Sequence, residues 1–222
     1  MRQRDRSGAG PKGVHNWRER PVPKGDNCEH ARVRRPQPDL RVATDGDVDA
    51  ITAVMRASVL ELFPSFYDER QTESAAIYVA HVDPMLIADG TYFVHDADGE
   101  IVACGGWSRR GRLYTGSEDA GDDDRLLDPD TEAAHIRAMF VRPDWTRRGL
   151  GRAILQAGHD AARAEGFQHL DLSATLPGVA FYRAFGFREI EQFVVTLPDG
   201  VTLDAIEMVR PVDRRGEFRG NP

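Results

Sequence analysis

Cysteine is nearly absent from this chain, with two in 222 residues. Cys28 lies in a polar stretch and Cys104 in an apolar one, so neither a disulfide framework nor a zinc site is suggested. No apolar run approaches the roughly 18 residues that a membrane-spanning helix needs. The first residues also lack the apolar core of a secretory signal. The expectation is a soluble, cytoplasmic protein without a membrane partner. Internal repeats and heptads are missing, which removes solenoids and coiled coils. His81, His95, His159 and His169 show no metal-ligand spacing, and no metal is expected.

What is present suffices for one core. Hydrophobic residues make up 41% of the chain, including three Trp, five Tyr and ten Phe, and the length suits a single domain. Charge is uneven. Residues 1–38 hold ten of the 29 Lys/Arg but only four of the 36 Asp/Glu, leaving 19 basic and 32 acidic residues for the rest. This basic segment, rich in Arg, Pro and Gly, has too little apolar surface to offset its ordering entropy and is expected to be disordered. It could be a nucleic-acid or membrane-surface arm, a transit peptide, or an incidental extension with Val14, Val22 or Val33 as alternative starts; the last is preferred, and nucleic acid is not expected as a partner. A folded domain is expected over 39–211, followed by a flexible tail over 212–222.

Within that domain the periodicities predict seven strands and four helices. Alternation marks a strand at 40–43, and Thr44-Asp45-Gly46-Asp47 caps a helix with Val48, Ile51, Val54, Met55, Val59 and Leu62 on one face, interrupted by Pro64. A second helix is expected near 71–82. Strands at 91–95 and 101–107 flank Asp98-Gly99, a strong hairpin signal. Residues 108–131 read as a long loop, with five acids among Glu118, Asp119, Asp122, Asp123 and Asp124 that could draw in a cationic amine. After it come a strand at 135–141, an amphipathic helix at 149–165, a strand at 170–172, a short helix at 179–185, and a hairpin of 188–197 with 201–209.

Most information lies in Met139-Phe-Val-Arg-Pro-Asp-Trp-Thr-Arg-Arg-Gly-Leu-Gly-Arg-Ala-Ile-Leu155, which reads as strand, basic glycine turn and helix opening. Turn amides would point at the positive end of a helix dipole, with three arginines nearby. That is an anion site suited to a phosphorylated ligand.

Two motifs at this spacing resemble those of the GNAT superfamily of N-acetyltransferases, over roughly residues 40–210. Thr146-Arg147-Arg148-Gly149-Leu150-Gly151, followed by Arg152, is similar to the family's acyl-coenzyme A turn, with Thr146 in place of the usual Gln or Arg. Ala180-Phe-Tyr-Arg-Ala-Phe-Gly-Phe187 is similar to its short helix and following strand. The resemblance implies an α/β (α+β) fold with a mixed, mostly antiparallel sheet of about seven strands flanked by about four helices. It implies that Gly149 and Gly151 admit the pyrophosphate to the amides near Arg147, Leu150 and Arg152. Backbone groups of Met139, Phe140 and Val141 would pair with the pantetheine, in a slot opened by splay from the strand near 170–173.

Tyr182 matches the tyrosine that in many members protonates the departing thiolate, work suited to a phenol. Thr175 falls where many members carry a cofactor-positioning Asn. His135, eleven residues before Thr146, sits at the offset of the glutamate base of histone-acetylating members; Glu132 and Asp171 are alternatives. The acceptor pocket would be shaped by residues 59–67, the 108–131 loop and the last hairpin, with Trp107, Phe63, Phe66, Tyr67 and Tyr114 as candidate aromatic walls. No Cys or Ser stands in a recognisable nucleophile motif, so direct transfer from acetyl-coenzyme A, as co-substrate, to an amine of a small molecule or peptide is the implied reaction. Remaining alternatives are a non-catalytic acyl-coenzyme A sensor, a longer acyl donor or an oxygen acceptor, and a homodimer is a family-level expectation.

Overall fold

The computed structural model describes residues 38–111 and 125–212. The basic segment up to residue 37, the five acids of the long loop, Tyr114 and the C-terminal tail from residue 213 lie outside the described residues. In chain order the elements are β1 (Asp39–Val42), α1 (Val48–Leu62), α2 (Glu69–Tyr78), α3 (Pro84–Ala88), β2 (Tyr92–Ala97), β3 (Glu100–Ser108), β4 (Ala134–Val141), α4 (Leu150–Ala164), β5 (His169–Thr175), α5 (Leu176–Ala184), β6 (Arg188–Thr196) and β7 (Thr202–Pro211). They form one seven-stranded sheet in the order β1-β2-β3-β4-β5-β7-β6. Only the β4–β5 pair is parallel.

Periodicity set most of these elements, and capping chemistry set the exception. The expected helix near 71–82 is α2, which ends at Tyr78, and a short helix that was not expected, α3, follows it, so the described residues hold five α-helices rather than about four. Asp68 caps α2 by accepting from the Gln71 amide at 2.8 Å, while the Gln71 side chain accepts from the Asp68 amide at 3.0 Å. Asp83 caps α3 through the Met85 amide at 3.0 Å, and Pro84 fills the first helical position. The Asp83-Pro84 pair was the signal for this extra helix.

Helices cover both sheet faces. On one, Ile51, Met55 and Val59 of α1 pack with Tyr92, Val94 and Cys104; on the other, Leu155 and Ala162 of α4 pack with Trp107, Ile136, Leu170 and Leu172. Helix α2 also docks on the β6–β7 hairpin. The Ser74 hydroxyl donates to the Asp199 carboxylate at 2.8 Å, Gln71 Nε2 to the Thr202 carbonyl at 2.7 Å, and the Tyr67 hydroxyl to the Asp204 carbonyl at 2.7 Å.

Two irregularities in the sheet shape the site. Strand β4 bulges against β3: Cys104 pairs with Phe140 and Gly106 with Arg137, so Ala138 and Met139 together face Gly105. Ala138 takes a left-handed φ of 48°, and its carbonyl accepts from the Tyr92 hydroxyl at 2.7 Å. Strands β4 and β5 also part early. They pair at Ala134 with Leu170 and at His135 with Asp171, and no further, although both strands continue.

Candidate functional site

The divergence of β4 from β5 opens a cavity of about 820 Å³. Its first wall is the C-terminal half of β4, where Met139, Phe140 and Val141 line the space. Their β5-side edge carries no strand, so an extended ligand with amide groups could pair there. Opposite stand Ser173 and Thr175 of β5, and Ala180, Phe181 and Tyr182 of α5.

One end of the cavity is the glycine turn. A 3-10 turn at Pro143–Trp145 is closed by the Thr146 hydroxyl, which donates to the Pro143 carbonyl at 2.9 Å. Arg147 and Gly149 then take left-handed φ values of 62° and 83°. Gly149 caps α4 without any side-chain hydrogen bond, so the first amides of that helix lack intrahelical partners and point where an anion would sit. Thr146, Arg147, Leu150, Gly151 and Arg152 line the cavity beside them. Arg148 does not. Its guanidinium lies 4.4 Å from the Trp145 ring centre and donates to the Asp144 carbonyl at 2.9 Å, a packing role that its place in the motif did not reveal.

Tyr182 sits deep in the wall, with its ring edge-on to Phe181 and Phe187 at centroid distances of 5.1 and 5.8 Å. Burial pushes its phenol well above the ordinary value, so it stays protonated as a donor over the neutral range. Gly178, one turn earlier, permits this placement: a Cβ there would lie 3.0 Å from the Tyr182 ring.

His135 is on no wall of this cavity. Its buried ring is hydrogen-bonded through Nδ1 to the Asp171 carboxylate at the last paired level of β4 and β5, before the strands diverge. The cavity begins one residue later, at Ile136. Glu132 is likewise outside the wall, its carboxyl held down to about 2 by the Arg125 guanidinium and the Asp128 amide. Among the described candidate aromatics only Phe63 lines the cavity. Trp107 is core, stacked edge-on against Phe167 at 6.0 Å; Tyr67 spends its hydroxyl on the Asp204 carbonyl and the Leu176 amide; Phe66 is exposed.

The remaining wall joins parts of the expected 59–67 segment and last hairpin to residues the sequence did not single out for it, among them Ser58, Val79 and His81. Leu62, Phe63 and Val79 meet Val195, Leu197 and Leu203 of the hairpin on which α2 docks, making an apolar surface. Beside it lie Ser58, His81 and Arg137. Arg137 Nη2 donates to Asp83 at 3.1 Å, and both side chains are almost fully buried. No signal short of the tertiary contact joins these two, which are 54 residues apart. Among the described residues no group of three or more His, Cys, Asp or Glu could hold a metal, and no helix is long and apolar enough to cross a membrane.

Comparisons with known proteins agree with this geometry. The acetyltransferase (GNAT) family profile matches residues 56–187, from α1 to the start of β6. A curated N-alpha-acetyltransferase from Sulfolobus acidocaldarius is 25% identical over 178 residues, covering 78% of this chain and 92% of the relative. A GCN5-related N-acetyltransferase from Rhodopseudomonas palustris superposes with a TM-score of 0.61 at 23% identity, over 80% of this chain and 97% of that one. The PaiA N-acetyltransferase of Thermoplasma acidophilum, solved with coenzyme A, gives 0.55 at 14% identity, over 79% and 99%.

Proposed function

The chain belongs to the acetyltransferase (GNAT) family, and from that premise we propose that it transfers the acetyl group of acetyl-coenzyme A directly to an amine. The observation that carries the reading is a slot bounded by an unpaired β4 edge, closed at one end by a capless, glycine-lined helix start, with a protonated phenol in its wall.

The residues present fit this co-substrate. Amides of Leu150, Gly151 and Arg152 would hold the pyrophosphate, with Arg147 and Arg152 neutralising it. Backbone groups of Met139, Phe140 and Val141 would pair with the pantetheine amides, and Thr175 lies across the slot. Tyr182 would donate a proton to the sulfur as the C–S bond breaks. The acceptor would carry an apolar substituent against the wall of Leu62, Phe63, Val79 and Leu203, since no carboxylate among the described residues lines the cavity. The α-amine of a short peptide with an apolar first residue meets that description, in keeping with the relative named an N-alpha-acetyltransferase.

Isothermal titration of the purified protein with acetyl-coenzyme A, followed by thiol release with a panel of amines and peptides, tests this reading. Binding and turnover are expected, with Tyr182→Phe lowering kcat by roughly 10²-fold while leaving affinity within about twofold. Absence of binding overturns it. Tight binding without turnover would favour a sensor.

A further inference from the structure

Direct attack on a thioester requires a neutral amine, yet an aliphatic amine enters largely as ammonium near neutral pH, so some group must take its proton. Among the described residues lining the cavity, the ionisable side chains are His81, Arg137, Arg147, Arg152 and Tyr182. Arginine cannot serve as a base, and a protonated phenol pushed up by burial is an acid. One imidazole remains. His81 is solvent-exposed and lines the cavity, which places it at the rim where an acceptor enters.

We infer that His81 is the general base of this site, positioned by the buried Arg137–Asp83 pair, an inference that rests on the acetyltransferase reading above. The segment joining α2 to α3 is short, and Asp83 anchors it two residues beyond His81. One carboxylate oxygen caps α3 through the Met85 amide, and the other accepts from Arg137 on the cavity wall of β4. A segment fixed at Asp83 cannot swing away from β4 without burying an uncompensated charge.

Protons balance as follows. His81 takes one proton from the ammonium and later releases it to solvent. The freed lone pair forms the C–N bond at the thioester carbonyl. As the carbonyl re-forms and the C–S bond breaks, Tyr182 gives its proton to the sulfur, and the second nitrogen proton leaves to restore the phenol. The amide keeps the third.

The charged or titratable groups that line the cavity with His81 are Arg137 from β4, Arg147 and Arg152 from the turn and α4, and Tyr182 from α5; Asp83 and Tyr78 are near it in the chain. The linings from α1, β6 and β7 contribute no charge. Among these groups only an imidazole can take up a proton as a base, so an acidic limb of kcat/KM lying below the amine's own ionisation belongs to it.

The test compares wild type with His81→Gln, using acetyl-coenzyme A and phenethylamine, with acetyl-coenzyme A affinity and melting temperature measured alongside. His81→Gln should lower kcat/KM by roughly 10²-fold near neutral pH and remove the lower acidic limb, leaving the one set by the amine's own ionisation. The deficit should shrink as pH approaches that at which phenethylamine deprotonates unaided. Affinity and melting temperature should hold, because the side chain is exposed. Wild-type turnover with a variant that keeps its rate or the limb below the amine's own ionisation overturns His81 as base and leaves the acetyltransferase reading intact. Absence of wild-type turnover with every amine tried overturns both. An Arg137→Lys variant that retains binding should raise KM or shift the acidic limb; an unchanged profile would remove the positioning pair.

Discussion

Gly151→Ala should move stability and ligand affinity in opposite directions, and the structure says by how much. Gly151 lies in the first turn of α4 with no need for a left-handed φ. A Cβ built there meets Phe181 at 3.5 Å and Val141 at 3.6 Å, ordinary contact distances, so the empty protein has room for it. Removing the glycine's extra freedom in the unfolded chain is worth about 0.4–1 kcal/mol. For a domain of this size that raises the melting temperature by about 1–4 °C. Both contacting side chains are cavity walls, however, so the same methyl group stands where a pyrophosphate would approach the α4 amides. Losing one charge-assisted hydrogen bond costs about 1.5–3 kcal/mol, or roughly a 10- to 100-fold weaker Kd. Thermal melts without ligand and titrations with coenzyme A measure the two effects separately. Titration with pantetheine, which lacks the pyrophosphate, should show almost no loss. Wild-type affinity for coenzyme A, or an equal loss for pantetheine, would refute the assignment of this turn to phosphate.

The other expectations concern the fold beneath the site. Burial pushes the Cys104 thiol up to about 12 from 9.0, and pushes the Tyr92 and Tyr182 phenols above their ordinary value. The native state thus holds protons that the unfolded chain releases. Stability is complete below about pH 9 and falls by about 1.4 kcal/mol per pH unit from Cys104 alone as pH rises toward 12, the tyrosines adding above about pH 10. Melting temperatures that stay flat from pH 8.5 to 10.5 would contradict this. Gly106→Ala places a Cβ 2.3 Å from the Thr91 carbonyl oxygen and 2.9 Å from the Tyr92 Cα, both backbone atoms, so soluble folded protein should be lost; a normal yield and circular dichroism spectrum would show that β2 and β3 can separate. Asp83→Ala removes both the α3 cap and the carboxylate beside Arg137, and should cost roughly 3 kcal/mol in chemical denaturation. A loss under about 1 kcal/mol would mean that the pair stabilises little.

Local chemistry made much of this protein legible before any tertiary contact. Asp98-Gly99 wrote its hairpin because both residues adopt left-handed φ, 55° and 89°, as a tight two-residue turn requires. The stripe on 149–165 became α4, since amphipathic periodicity and the Gly166 stop are properties of one helix. The glycine turn and the Tyr182 motif were legible for the same reason: each spacing lies within a single turn or short helix. Two expectations depended on more than local spacing. His135 was placed by its offset from Thr146, but whether a β4 residue reaches the cavity depends on where β5 departs, a pairing register that only the folded sheet fixes. Aromatic composition suggested Trp107 and Tyr67 as walls, whereas burial between layers made them core and staple.

The sequence by itself determined the elements, the glycine turn and the short helix that carries Tyr182, because those depend on neighbours a few residues away. The tertiary structure decided what stands opposite them. It brought Leu62 and Phe63 against Leu197 and Leu203, tied Arg137 to Asp83 across 54 residues, and left His81 as the one imidazole among the described cavity-lining residues. Those contacts follow from sheet order, the β4 bulge and the docking of α2 on the last hairpin, and no local pattern carries that information.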